Sequence, residues 1–297
     1  MKGVCNVWTP FFVFMHLSCR NEVKTSAQHN LLEIPPFKNI SNTDLCRVKT
    51  LRLLARFFFF VFYTALIVAE IWLRNRLWGQ DIRRSMRVRR RWAMNLLNGV
   101  GLSIETEGTA PDFPCLIVSN HRSYLDPILM LRDVYGYPVA KAELANWPLI
   151  GKGAKMAGIL YLRRESAGSR SGILRQILEK IEAGFSVIIF PEGTTSGLIG
   201  TLPFKKGGFK LAAQANIPVV PVALVFSDER DFWIGKESFF SHAKRRFGEK
   251  MIVVKLCYGP EIRSEDPDVL LSKSQQWIDT VLRSNDQTRQ SFLAFAK

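Results

Sequence analysis

The stretch Pro114-Cys115-Leu116-Ile117-Val118-Ser119-Asn120-His121-Arg122-Ser123-Tyr124-Leu125-Asp126 decides the fold. An apolar run of strand length ends in a short polar turn carrying Asn120 and His121. A new apolar pattern with helical steps then opens at Leu125, Ile128, Leu129 and Leu131. His121 is therefore expected at the carboxyl end of a buried strand. Asp126 follows five residues later, a spacing that on a continuous helix would set the two side chains about 140° apart. The pair can meet only if His121 still lies in the turn and Asp126 already lies in the first turns of the helix. In that arrangement the carboxylate holds one ring nitrogen and leaves the other free to take a proton. A histidine near an aspartate is also an ordinary surface feature, so this spacing alone does not define a site.

A second stretch repeats the pattern. Phe185-Ser186-Val187-Ile188-Ile189-Phe190 is a buried-strand run that opens into Pro191-Glu192-Gly193-Thr194-Thr195-Ser196. Two strands ending in polar loops suit an open α/β sheet, in which ligands gather at the strand carboxyl ends. Outward from these runs, strands are expected at Leu102 to Glu107, Pro138 to Glu143, Ile159 to Leu162, Val219 to Phe226 and Met251 to Cys257. Helices are expected at Pro148 to Met156, Ser166 to Ala183, Phe209 to Asn216 and about Pro267 to Leu282, the second ended by Gly184. Alternating strands and helices predict an α/β fold with a mostly parallel sheet flanked by helices.

Asn120-His121-x4-Asp126 followed by Phe190-Pro191-Glu192-Gly193-Thr194 resembles the glycerolipid acyltransferases, the 1-acylglycerol-3-phosphate O-acyltransferase family. Two weaker signatures follow the family's order. Gly158-Ile159-Leu160-Tyr161-Leu162-Arg163-Arg164 is similar to its glycine-to-arginine motif, and Ile217-Pro218-Val219-Val220-Pro221-Val222 to its last proline-valine strand. The resemblance covers roughly Arg90 to Gly259.

It implies transfer of a fatty acyl group from a thioester, acyl-CoA or acyl carrier protein, to a free hydroxyl of a lyso-glycerolipid. Such chemistry needs a base for the attacking hydroxyl and a proton for the departing thiolate, and one histidine can serve both. By the resemblance His121 is that base, and Asp126 orients it and stabilises its imidazolium form. Glu192, Gly193 and Thr194 are expected close to the acceptor's glycerol. Arg164 is the motif arginine for an acidic headgroup, with Lys141 and Lys205 as helpers. No acyl-enzyme is expected, because the chain has no G-x-S-x-G elbow. Neither a metal nor a cofactor is implied, the thioester being a co-substrate. One departure concerns the acceptor. Thr195 stands where many members carry an arginine, which weakens the case for 1-acylglycerol-3-phosphate and keeps a lyso-ornithine lipid or another lysophospholipid as alternatives.

Across the 297 residues, 41 Lys and Arg against 26 Asp and Glu leave a net charge of +15, which favours nucleic acid, anionic lipid or an acidic soluble partner. No helix-turn-helix, zinc-finger or aromatic RNA-binding signature accompanies the arginines, so nucleic acid is not the expected partner. Hydrophobic residues at 47% are enough for a sizeable core. The five cysteines are scattered, with no C-x-x-C pair, so neither a zinc site nor a disulfide framework is expected; reduced thiols suit a site on the cytoplasmic face. A dinucleotide loop fails at Gly151-x-Gly153, whose next glycine is Gly158.

Domain organisation is read as a polar arm at 1–48 with no assigned role, a membrane-associating helical region at 49–100 and the α/β domain at 101–297. Leu51 to Leu73 is the most apolar segment, and Phe57 to Ala69 carries no charge. A single-pass helix, an interfacial helix and a buried core helix all fit that length. The flanking Arg56, Trp72, Arg74, Arg76 and Trp78 suit a headgroup layer. Residues 82 to 100 form an amphipathic helix with Ile82, Met86, Ala93, Leu96, Leu97 and Val100 on one face and most arginines elsewhere, a pattern for docking on a membrane surface. Such a region would also serve a non-catalytic protein that binds anionic lipid.

Overall fold

The structure is a computed structural model and describes residues 42–146, 156–163 and 167–295. The described residues open with helix α1 (Asn42–Trp78) and α2 (Ile82–Gly99). The α/β part then runs β1 (Leu102–Glu107), β2 (Leu116–Ser119), α3 (Asp126–Leu131), β3 (Gly136–Lys141), β4 (Leu160–Leu162), α4 (Ala167–Glu182), β5 (Ser186–Ile189) and α5 (Gly207–Gln214). It closes with β6 (Val219–Phe226), α6 (Phe239–Phe247), β7 (Ile252–Tyr258) and α7 (Pro267–Phe295). The seven strands form one sheet in the order β1-β7-β6-β2-β5-β3-β4, parallel throughout except between β6 and β7.

Leu116, Ile117 and Val118 are all buried because both faces of the sheet are covered. Ile117 joins the cluster under α2, α3 and α6 with Leu97, Leu129 and Phe247. Leu116 and Val118 join the opposite cluster with Ile177, Phe209 and Leu270 of α4, α5 and α7. The strand period of two thus feeds two cores from one continuous apolar run. β2 lies between β5 and β6, so the loops that leave β2 and β5 emerge side by side at their carboxyl ends.

Most expected elements are present, with boundaries shifted by a few residues, and α7 runs well past Leu282. The expected helix at Pro148 to Met156 lies, apart from Met156, outside the described residues. Two features differ from the sequence reading. α6 was not expected: its short sequence is mostly charged or aromatic, and Ala243 and Phe247 are its buried members of the apolar core, with Phe239 packed against it. The long apolar helix begins at Asn42, inside the segment read as a polar arm.

α1 packs one side against the domain and leaves the other bare. Thr64, Ile67 and Ile71 are buried, the last two against Val88 of α2 and Ala157. Leu51, Leu54, Phe58, Phe62, Leu66 and Leu73 form an exposed row at three-, four- and seven-residue steps. Near its start the helix is tied to the end of α6. Arg52 donates to the Gly248 carbonyl at 2.9 Å, and Arg56 donates to the carbonyls of Phe247 at 3.0 Å, Glu249 at 2.6 Å and Lys250 at 3.0 Å. These arginines satisfy carbonyls that a helix end leaves open.

α2 is fixed by a buried cation. Arg89, 3% exposed, donates to the carbonyls of Gly136 at 2.7 Å, Gly158 at 3.1 Å and Ala157. It thereby joins α2 to the start of β3 and the approach to β4.

Candidate active site

β2 ends in a turn that Asn120 holds closed. Its buried side chain donates to the Leu224 carbonyl at 2.9 Å and accepts from the Leu224 N–H at 2.8 Å, extending the pairing with β6 by one residue through an amide side chain. His121 follows, facing out of the sheet. Its Nδ1 lies 2.7 Å from Asp126 Oδ2, and that oxygen also accepts from the backbone N–H groups of Arg122 at 2.5 Å and Ser123 at 2.8 Å. Asp126 is fully buried at the first position of α3, and the His121 side chain is 20% exposed. With Nδ1–H donating to the carboxylate, Nε2 is left as the proton acceptor. The imidazole also stacks on Phe190 at 4.4 Å between ring centroids and an interplanar angle of 25°. The carboxylate and the stacked ring together restrict its rotation.

The loop after β5 is bonded to the same turn at several points. Glu192 accepts from the His121 backbone N–H at 2.7 Å through Oε1 and from the Leu202 N–H at 2.8 Å through Oε2. Ser196 N–H donates to the His121 carbonyl at 3.0 Å. Arg122 turns inward and donates to the carbonyls of Ser196 at 2.9 Å and Gly200 at 2.8 Å. Burial pushes the Glu192 carboxyl above its ordinary range, against the lowering effect of its two backbone donors and Arg122. Burial likewise draws the Arg122 guanidinium down, against the carboxylates of Glu192 and Asp126.

A cavity of about 810 Å³ opens beside His121 and runs beneath α1 and α2. Ile67, Ile71, Trp92, Leu96 and Ile177 give it apolar walls, while Lys141, Gly193, Thr194 and Lys205 belong to its polar part. Gly193 has φ +76°, and a side chain there would meet the Lys205 amine, so the glycine leaves room for that cation against the loop.

His121 and Asp126 meet as the spacing required. Gly193, Thr194, Lys141 and Lys205 share the cavity wall with His121. Glu192 stands elsewhere than expected. It is 4% exposed and absent from the cavity lining, and each of its oxygens accepts a backbone N–H, one of them that of His121. Arg164 lies outside the described residues. Among the described residues no group of three or more His, Cys, Asp or Glu side chains is placed to hold a metal ion.

Sequence reading missed Asn120 and Arg122 as holders of the turn, and also the α6 side of the cavity, where Tyr124, Trp233 and Phe239 meet edge to face. Only the adjacency of Asn120 and Arg122 to His121 could have drawn attention to them, because their partners lie far along the chain.

Fold and site together define an α/β protein with a His–Asp pair at the mouth of an apolar cavity, below a helix whose outer face is apolar. The family profile described as Acyltransferase matches residues 102–225. The chain is 37% identical over 152 residues to the chloroplastic 1-acyl-sn-glycerol-3-phosphate acyltransferase BAT2 of Brassica napus, covering 50% of this chain and 42% of that protein. It is 33% identical over 186 residues to the lyso-ornithine lipid O-acyltransferase of Pseudomonas aeruginosa, covering 60% of this chain and 71% of that one. The crystal structure of the Thermotoga maritima 1-acyl-sn-glycerophosphate acyltransferase, PlsC, shares the fold with a TM-score of 0.62 at 20% identity, over 82% of this chain and 98% of that one. The chain belongs to the glycerolipid acyltransferase family.

Proposed function

We propose that this protein moves a fatty acyl group from a thioester to the free hydroxyl of a lyso-lipid at a membrane surface, with 1-acylglycerol-3-phosphate as acceptor and phosphatidate as product. The observation that carries this reading is the imidazole of His121, held through Nδ1 at 2.7 Å by a buried carboxylate and set at the mouth of an apolar cavity of about 810 Å³. His121 Nε2 takes the hydroxyl proton as the oxygen attacks the thioester carbonyl. The C–S bond then breaks, and the imidazolium returns the proton to the departing thiolate. Asp126 steadies the charged ring between these steps, and the apolar walls take up fatty chain. The cations Lys141 and Lys205 at the cavity wall suit an acidic headgroup.

Thr195 favours a second acceptor. A threonine there removes a fork-shaped phosphate ligand, and the Pseudomonas relative is named for lyso-ornithine lipid. Acyl-CoA and acyl carrier protein are both retained as donors. We read the membrane association as monotopic, facing the cytoplasm. One side of α1 is engaged with the domain and its Arg52 and Arg56 are tied to the end of α6, while its outer row of leucines and phenylalanines is free to enter one leaflet.

The test is transfer by purified protein of a labelled acyl chain from each donor to 1-acylglycerol-3-phosphate and to lyso-ornithine lipid. His121→Ala should lower kcat by about 10²- to 10⁴-fold while vesicle binding and melting temperature persist. Wild-type protein that binds vesicles but transfers nothing to either acceptor would replace this reading with a lipid-binding one.

A further inference from the structure

The loop that follows Glu192 carries a feature the chemistry does not use. It is fastened at several points: the Ser196 and Gly200 carbonyls accept from Arg122, Thr201 N–H donates to Asp279 at 2.8 Å, and Leu202 N–H donates to Glu192 at 2.8 Å. Between these ties Leu198 and Ile199 stand at the apex, 56% and 57% exposed. A second loop lies against it. A Cβ at Gly197 would sit 3.0 Å from Ile234 Cδ1, and Ile234 is itself 44% exposed. That second loop hangs from the same arginine, because Trp233 N–H donates to the Arg122 carbonyl at 2.8 Å, while Trp233 and Gly235 line the cavity. Three exposed aliphatic side chains thus stand on two tied loops whose residues Thr195, Trp233 and Gly235 line the cavity.

We infer that Leu198, Ile199 and Ile234 form a second membrane seat, which sets the catalytic turn into the headgroup layer of an anionic bilayer independently of α1. The inference rests on the membrane reading above. Three aliphatic residues are too small a patch for a stable protein interface, which takes roughly 800 Å² from each partner. They match the inserted side chains of an interfacial anchor. The charge beside them fits lipid as well: exposed Lys236 is two residues from Ile234, Lys205 stands on the wall of the same cavity, and the chain carries +15. The cavity that reaches His121 is lined both by Phe60, Thr64 and Ile67 of α1 and by Trp233 and Gly235 of the second loop.

The test is co-sedimentation of the full chain with phosphatidylcholine–phosphatidylglycerol vesicles, comparing wild type with the double variant Leu198→Ser and Ile199→Ser. Vesicle affinity should fall by about ten- to a hundredfold. Acylation of vesicle-borne acceptor should fall in step, and acylation of a monomeric short-chain acceptor should be unchanged. The double variant Leu198→Trp and Ile199→Trp should bind at least as well as wild type, since the positions need apolar bulk and not a particular shape. Unchanged sedimentation of the serine variant overturns the inference. Equal loss on vesicle and monomeric acceptor, with no recovery in the tryptophan variant, also overturns it and makes the loop part of the active-site framework. Wild type that fails to sediment removes the membrane reading and this seat with it. Wild type that sediments but acylates nothing removes the acylation reading and leaves the seat standing on the sedimentation result.

Discussion

Glu192 carries a charge whose work is done on backbone. Each oxygen receives one N–H, from His121 and Leu202, so the residue couples the histidine turn to the far side of the β5 loop. Glu192→Gln keeps one acceptor but sets an amide N–H₂ against a backbone donor, which leaves a buried donor unpaired. The expected cost is about 1–3 kcal/mol in urea unfolding. Because the side chain braces the turn, kcat should fall while the apparent KM for the acceptor stays near wild type. A rise in KM alone would instead place the carboxylate on the substrate. His121 differs in kind. It is the ring that protrudes from the turn toward the cavity, and its removal should cost rate without costing the fold.

At the scale of elements, the site depends on how α2 sits on the sheet, and Arg89 sets that. Its guanidinium spends its hydrogen bonds on the carbonyls of Gly136, Ala157 and Gly158, and it lines the cavity beneath α1. No carboxylate pairs with it among the described residues, and burial draws its pKa down to about 10, so it stays charged at neutral pH. Arg89→Leu would strand these carbonyls in an apolar setting. The expected loss is at least about 3 kcal/mol, read as a lower melting temperature, with Arg89→Lys recovering part of it. The amphipathic pattern placed α2 correctly by its apolar positions, but nothing in it singled out Arg89 as a buried arginine. An arginine's type and position on a helix do not say whether carbonyls from a strand and a loop will surround it.

At the scale of the whole molecule, the proposed membrane reading joins a net charge of +15, an apolar outer row on α1 and exposed cations on the cavity wall, and it predicts a salt-sensitive affinity for anionic lipid. Binding to vesicles that contain phosphatidylglycerol should weaken by roughly tenfold when ionic strength rises from about 0.05 M to 0.5 M. Binding to pure phosphatidylcholine should change little, because only the Coulombic part is screened. The strands, most of the helices and the His121–Asp126 pair could be read from sequence, because they follow from periods of 2.0 and 3.6 and from residues a few positions apart. The motifs likewise carried the family resemblance. Tertiary structure alone decided that β7 runs antiparallel to β6, that α6 lines one side of the cavity, that Glu192 accepts the His121 and Leu202 N–H groups, and that Asn120, Arg122 and Arg89 hold the frame. The physical reason is distance along the chain. Asn120 finds its partner 104 residues away and Arg89 finds its own 47 to 69 residues away, and a buried polar group takes its meaning from whichever backbone packing brings to it.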